Sequence, residues 1–137
     1  MRAVIDTNVL FEGLTKQGGA CALIVEAWDN EEFQACVSNA LAYEYFEVLQ
    51  RKLSPARWQA AHPVLIRLLS KAEFIHRHFT WRPSSPDPGD EHVIDCAMTA
   101  GAAVVTSNTR DFREAQKSLN LIVMTPVEMI SALAGQS

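Results

Sequence analysis

No stretch of this chain approaches the ~20 consecutive apolar residues that a bilayer-spanning helix needs, so nothing in it reads as a membrane anchor. The opening MRAVIDTNVLFEGL makes a poor export signal, because Asp6 interrupts the apolar run that such a signal requires. The expected setting is therefore cytoplasmic. Cysteine is scarce and unpatterned. Cys21, Cys36 and Cys96 are odd in number, far apart and unaccompanied by a CxxC or His-x-x-His pattern, which gives no support to a zinc site or a disulfide framework and leaves buried free thiols. Excess positive charge is missing too: twelve Lys and Arg stand against sixteen Asp and Glu, for a net charge of −4. That balance argues against a protein that coats nucleic acid, while allowing local basic patches beside an acidic pocket. There is no internal repeat and no low-complexity segment.

What remains is an ordinary globular composition, 48% hydrophobic and 20% charged over 137 residues, enough for one domain with a proper core. Short apolar runs alternate with longer helical patterns. Ala3–Ile5 reads as a strand, Ala20–Trp28 as a helix after Gly18-Gly19, and Phe33–Val37 as a strand ended by Ser38. Asn39–Lys52 carries Leu41, Tyr45, Val48 and Leu49 at helical spacing. Ser54-Pro55 pairs a cap residue with a proline at the first helical position, and Pro63 is expected to break or kink the helix that follows. Glu73–Phe79 reads as a less buried strand, with His76 and His78 sharing one face as ordinary surface histidines. After the turn-rich 83–88 segment come a helix from Asp90 to Ala100 stopped by Gly101, a strand Ala103–Thr106, a short helix from Asp111 to about Lys117 and a strand Leu121–Val123. Thr125-Pro126-Val127-Glu128 forms a capping box that opens the last helix. Alternating β and α elements predict an α/β sandwich with a mostly parallel sheet.

Acidic residues recur where strands end or helices begin. Asp6 directly follows Val4-Ile5, at the place where open α/β sheets carry their ligand crevice, although Asp6-Thr7-Asn8 also suits a turn that caps the next helix. Glu44 and Glu47 lie one turn apart on a helix, and spacing alone does not choose between them. Asp87-Pro88-Gly89-Asp90 has a local explanation as helix cap, first-position proline and dipole acid, yet Asp90 is also placed to face the crevice. Glu91 and Asp95, four residues apart, read as mainly exposed partners, with Glu91 a secondary site candidate. Thr106-Ser107-Asn108 and Asp111 sit at another strand exit, where Asp111 suits either a ligand or a cap. Gathered together, such carboxylates repel one another unless a divalent cation neutralises them.

These residues resemble the PIN-domain nucleases. Met1–Leu10 is similar to the family's opening strand with its Asp-Thr-Asn. Ser38–Leu49 resembles a second motif in which a helix glutamate follows a serine by six residues, a pattern that selects Glu44 over Glu47. Asp87–Asp90 with Val93-Ile94, Ala97 and Ala100–Ala102 resembles a third, and Val104–Phe112 the last. The match runs in order along nearly the whole chain and looks closest to toxin components of bacterial and archaeal toxin–antitoxin pairs, including the VapC type. One departure is Asn108, where many PIN domains have aspartate; Asp111 is then the candidate for the fourth acid.

The resemblance implies a single PIN-like domain over 1–137, folded as a three-layer sandwich around four to five mostly parallel strands. It implies an endoribonuclease dependent on Mg²⁺ or Mn²⁺, with Asp6 and Asp90 as direct metal ligands, Asp111 direct or through water, and Glu44 handling the attacking water. Asn8, Thr106, Ser107 and Asn108 would support them. Single-stranded or looped RNA is the expected substrate, with a cognate antitoxin and a second copy of the chain as partners. Arg51, Lys52, Arg57 and Arg110 are candidates to track a backbone, though surface cations by default. Trp28, Trp58 and Trp81 suit core packing better than base stacking. The alternatives are a catalytically weak PIN-like module that binds an antitoxin or nucleic acid, and a phosphohydrolase using Asp6 as nucleophile. The second lacks the Asp-x-Asp pair that such chemistry usually wants.

Overall fold

A computed structural model describes residues 1–76 and 88–135, with backbone alone at 88 and 89. Its elements are β1 (Arg2–Ile5), α1 (Thr7–Thr15), α2 (Gly19–Asp29), β2 (Gln34–Ser38), α3 (Asn39–Lys52), α4 (Pro55–Ser70), β3 (Glu73–Ile75), α5 (Pro88–Ala100), β4 (Ala103–Val105), α6 (Arg113–Leu119), β5 (Val123–Met124) and α7 (Pro126–Ala134). A 3-10 turn over Thr109–Phe112 leads into α6. The five strands form one sheet in the order β3-β2-β1-β4-β5, and every pair is parallel. Right-handed crossovers, the near-universal hand for such connections, put α1–α4 on one face and α5 and α6 on the other. Consistent with this, α5 packs across β2, β1 and β4, while α7 returns to pack on α2. Strands covered on both faces must be apolar along their length, which is why Ala3, Val4, Ile5, Val104 and Val105 are all buried. No helix among the described residues is long and apolar enough to cross a membrane.

In a parallel sheet all carboxyl ends lie along one edge. Here the strand order reverses at β1, which has β2 on one side and β4 on the other. Connections leaving β1 and β4 diverge to opposite faces and open a crevice between those strand ends. That switch point is where the first candidate acid sits.

The core on the α1–α4 side is built around Trp28, only 1% exposed. Phe33 and Tyr45 meet its ring edge-on, each with centroids 6.4 Å away, and its Nε1 donates to the Leu68 carbonyl at 2.8 Å. Gly13 lets α1 and α2 approach closely: a Cβ there would stand 2.5 Å from the Cys21 carbonyl oxygen. All three cysteines are free and buried, as their scattered positions suggest.

Four expectations change. Pro63 neither ends nor divides its helix; α4 runs unbroken through it. The helix is held from outside the missing hydrogen bond. Ser54 accepts from the Arg57 N–H, Leu65, Leu68 and Leu69 are buried, and Arg67 and Lys71 reach Asp29 at 2.9 and 3.0 Å. Those two cations pull the Asp29 carboxyl down to about 2. Since Pro63 is exposed and contributes no N–H, Pro63→Ala should raise stability by about 1–3 kcal/mol. A thermal melt checks this, and an unchanged or lower midpoint would mean that the proline's restraint on the unfolded chain outweighs the missing bond. Secondly, α1 begins immediately after Asp6, a helix that the apolar patterning did not announce. Thirdly, β3 ends at Ile75, so His76 lies beyond it, and His78, Trp81 and Asp87 fall outside the described residues. Lastly, Asp111 lies in the 3-10 turn rather than opening α6, and the last strand is displaced to Val123–Met124.

Candidate active site

Asp6 is the first residue past β1, and the sheet fixes its backbone: its N–H donates to the Val105 carbonyl at 2.9 Å. It is also the N-cap of α1, with φ −60° and ψ 146°, and one carboxylate oxygen, Oδ1, accepts the Thr7 N–H at 2.8 Å. The other, Oδ2, accepts the Thr106 hydroxyl at 2.8 Å. The two readings that the sequence left open, cap and site residue, are thus compatible. The carboxylate is 7% exposed, and a charge so buried is tolerable only when its oxygens are met by donors.

The run of contacts extends in both directions. The Thr106 hydroxyl, itself fully buried, accepts the Asn108 N–H at 3.0 Å. The Asn108 side-chain amide then donates to Asp111 Oδ2 at 2.6 Å. On the other side the Thr7 hydroxyl donates to Glu44 Oε2. Glu44–Thr7–Asp6–Thr106–Asn108–Asp111 therefore forms one continuous hydrogen-bonded run across the crevice between β1 and β4.

The rotation of α3 decides which of its acids joins this run. Ser38 caps the helix by accepting the Leu41 N–H at 3.1 Å. Tyr45 then drives its hydroxyl onto the Ile5 carbonyl at 2.5 Å, at the last residue of β1. Burial holds the Tyr45 hydroxyl well above the usual tyrosine range, and the nearby Cys96, Asp6 and Glu44 add to the effect. With Tyr45 inward, Glu44 turns towards Thr7, while Glu47 lies exposed and pairs with Arg51 at 2.9 Å.

Asp90 stands half-buried in the first turn of α5. As a crossover helix running antiparallel to the strands, α5 begins at the edge where the strands end, the same side as Asp6. Glu91 and Asp95 are not exposed partners: they are 5% and 7% accessible. Helix α5 is pressed against four elements of the sheet and α3, so little of its surface is left to water. Asn8 and Ser107 are exposed and make no hydrogen bond to the acidic run among the described residues. Thr7 is the contributor that the sequence reading passed over. Its only advance signal was a hydroxyl directly after the acid, at the start of a helix.

The donors of this site are carboxylate and hydroxyl oxygens. Among the described residues no three acidic, histidine or cysteine side chains close on a single ion-binding point. A magnesium-sized ion does not require such a cage: it binds through one or two carboxylates and keeps several waters. Asp6, a buried carboxylate with both oxygens oriented by donors, fits that role.

A family model described as the PIN domain matches residues 2–110. Similar solved structures include VapBC2 from Rickettsia felis bound to a promoter DNA fragment, with a TM-score of 0.65, 16% identity, and 91% of this chain and 98% of that one covered. DNA-bound VapBC from Salmonella typhimurium gives 0.64, 18%, 92% and 98%. PAE2754 from Pyrobaculum aerophilum gives 0.60, 16%, 98% and 90%. At these identities the likeness speaks for the fold. No curated protein matches the chain significantly.

Proposed function

The chain belongs to the PIN-domain family, whose members are nucleases, and on that footing we propose that it is a divalent-metal-dependent endoribonuclease and the toxin of a toxin–antitoxin pair. It acts as one domain over 1–137, in the cytoplasm, as a homodimer. The observation that carries the reading is the hydrogen-bonded run from Glu44 through Asp6 to Asp111 at the sheet's switch point. Residues of α3, α1 and the 3-10 turn meet there with those just past β1 and β4, a threonine on each side of one buried carboxylate.

In this reading Asp6 and Asp90 would hold Mg²⁺ or Mn²⁺, with Asp111 as the further acid that would assist them. When bound, the ion supplies Lewis-acid polarisation of the scissile phosphate and lowers the pKa of water. Thr106 and Thr7 aim the carboxylates of Asp6 and Glu44 respectively. Glu44 orients the attacking water and takes its proton as the new P–O bond forms and the leaving oxygen departs. Asn108 holds Asp111 in place. Unpaired RNA is the favoured substrate, because its phosphates and bases are open to a crevice at a sheet edge. The Rickettsia and Salmonella neighbours are toxin–antitoxin assemblies, which supports an antitoxin as protein partner.

The lack of a closed three-acid cage among the described residues favours one other reading, a catalytically weak module that acts by binding an antitoxin or nucleic acid. Cleavage of labelled single-stranded RNA in Mn²⁺ or Mg²⁺ separates the two. We expect cutting that EDTA stops and Asp90→Asn abolishes. Cutting that persists in EDTA or in the variant would remove Asp90 and its metal from the mechanism. A protein that cuts no RNA under any condition would be the binding module.

A further inference from the structure

The cations of this chain are not placed alike. Among the described residues, Arg2 pairs with Glu73, Lys16 with Glu12, Arg51 with Glu47, and Arg67 and Lys71 with Asp29. Lys52 lies over the Phe11 ring at 5.2 Å, and Arg57 donates to the Thr15 carbonyl at 3.5 Å. Arg110, Arg113 and Lys117 differ from all of these. Their side chains make no ion pair, hydrogen bond or ring contact with another described residue.

These three are also aligned. Arg110 and Arg113 are about one 3-10 turn apart, and Arg113 and Lys117 are about one α turn apart. All three are exposed, while Phe112 and Ala115 occupy the opposite, buried side of the same segment. The row spans roughly 12 Å of helix axis, with neighbouring Cβ atoms about 5–6 Å apart, comparable to the step between successive phosphates of an extended strand. Glu114 is exposed about 100° round the helix from Arg113 and pairs with none of them. One end of the row adjoins Asp111, the terminal acid of the candidate site.

In a protein of net charge −4, long cations without a carboxylate partner among the described residues, aligned beside an acidic crevice, form a local attractive field for polyanions. We propose that Arg110, Arg113 and Lys117 are a cationic track that holds the phosphate backbone of single-stranded RNA as it leaves the crevice. The proposal rests on the nuclease reading for its substrate, and it assigns these residues to holding, not to cutting. Such contacts set position and affinity without reading bases. An acidic protein segment is the competing occupant. The track's start beside Asp111, where a scissile phosphate has to sit, favours the nucleic acid.

The test measures binding of a labelled single-stranded RNA oligonucleotide by fluorescence anisotropy in EDTA, across a range of salt concentrations. For single strands each phosphate contact contributes about 0.7 to the slope of log affinity against log salt, so Arg110→Gln/Arg113→Gln/Lys117→Gln should lower the slope by about 2. Between 50 and 200 mM salt the native protein should then lose affinity roughly 15-fold more steeply than the variant. A control lacking equal charge at Lys16, Arg51 and Arg67 should keep the native slope, as should Arg110→Lys/Arg113→Lys. With metal present, the triple variant should raise KM and leave kcat close to native. An unchanged slope, an equal effect in the control, or equal dependence on the track for binding a polyglutamate peptide would each overturn the proposal. So would a native protein that binds no RNA. RNA that binds through the track but is never cut would instead defeat the nuclease reading and leave the track standing.

Discussion

Asp6→Asn should lower kcat for metal-supported RNA cleavage by about 10²–10³-fold, the scale of losing one preorganised electrostatic contact, while lowering the melting temperature only modestly. The two effects separate because of how the carboxylate is bound. Asn can keep its oxygen on the Thr7 N–H, leaving its amide against the Thr106 hydroxyl, which already accepts the Asn108 N–H. That hydroxyl can accept a second bond, but its own proton then needs a new acceptor, at a cost of about 1–3 kcal/mol. Removing one negative charge from an acidic crevice relieves repulsion from Glu44 and Asp111 and offsets part of that cost. Steady-state cleavage and a thermal melt on the same preparation check both halves. A folded variant that keeps more than roughly a tenth of native activity would deny Asp6 the contact on which the estimate rests.

The largest loss of stability should come from Trp28→Ala, about 3–5 kcal/mol, a large share of the ~5–15 kcal/mol that such a domain has. The ring is 1% exposed and fills the space between α2, the start of β2, α3 and α4. Truncation leaves a cavity and strips the Leu68 carbonyl of its partner. Trp28→Phe keeps most of the packing and isolates the hydrogen bond, with an expected loss of about 1 kcal/mol beyond the change in ring size. Urea midpoints measure both. A loss below about 0.5 kcal/mol for the alanine variant would place Trp28 with ordinary surface positions. Tyr45 touches this ring and also pins α3 to the end of β1. Core damage at Trp28 is therefore expected to reach Glu44, and kcat should fall in the alanine variant even under conditions where it remains folded.

Local chemistry was enough to read most of the elements. Ser54-Pro55 and Thr125-Pro126-Val127-Glu128 announce helix starts through side-chain caps, and both caps form as read. The apolar runs Val4-Ile5 and Val104-Val105 announce strands buried on two faces. What was not legible depends on neighbours distant in sequence. Pro63 follows a sound local rule that packing at Leu65, Leu68 and Leu69 overrides. Glu91 and Asp95 have the spacing of a solvated pair, yet α5 is surrounded. Glu44 and Glu47 are equivalent by local spacing; the family resemblance selects Glu44, and the Tyr45 anchor on Ile5 supplies the physical reason. Thr7 looks like an ordinary turn residue until folding sets it opposite Thr106, one of the expected supporting residues, on either side of Asp6. Asn108 and Asp111, open alternatives for the last position, prove to be hydrogen-bonded to each other.

The strand order has a consequence during synthesis. β1 leaves the ribosome ahead of its β4 neighbour, and Thr106 follows Asp6 by one hundred residues. Domains fold as units, and long-range parallel pairings form late because loop closure must precede them. A growing polypeptide that has not yet reached Thr106 therefore holds Asp6 and Glu44 without the strand that closes the crevice. On the proposed reading, the acidic site therefore stays incomplete until the segment carrying Thr106 has been made.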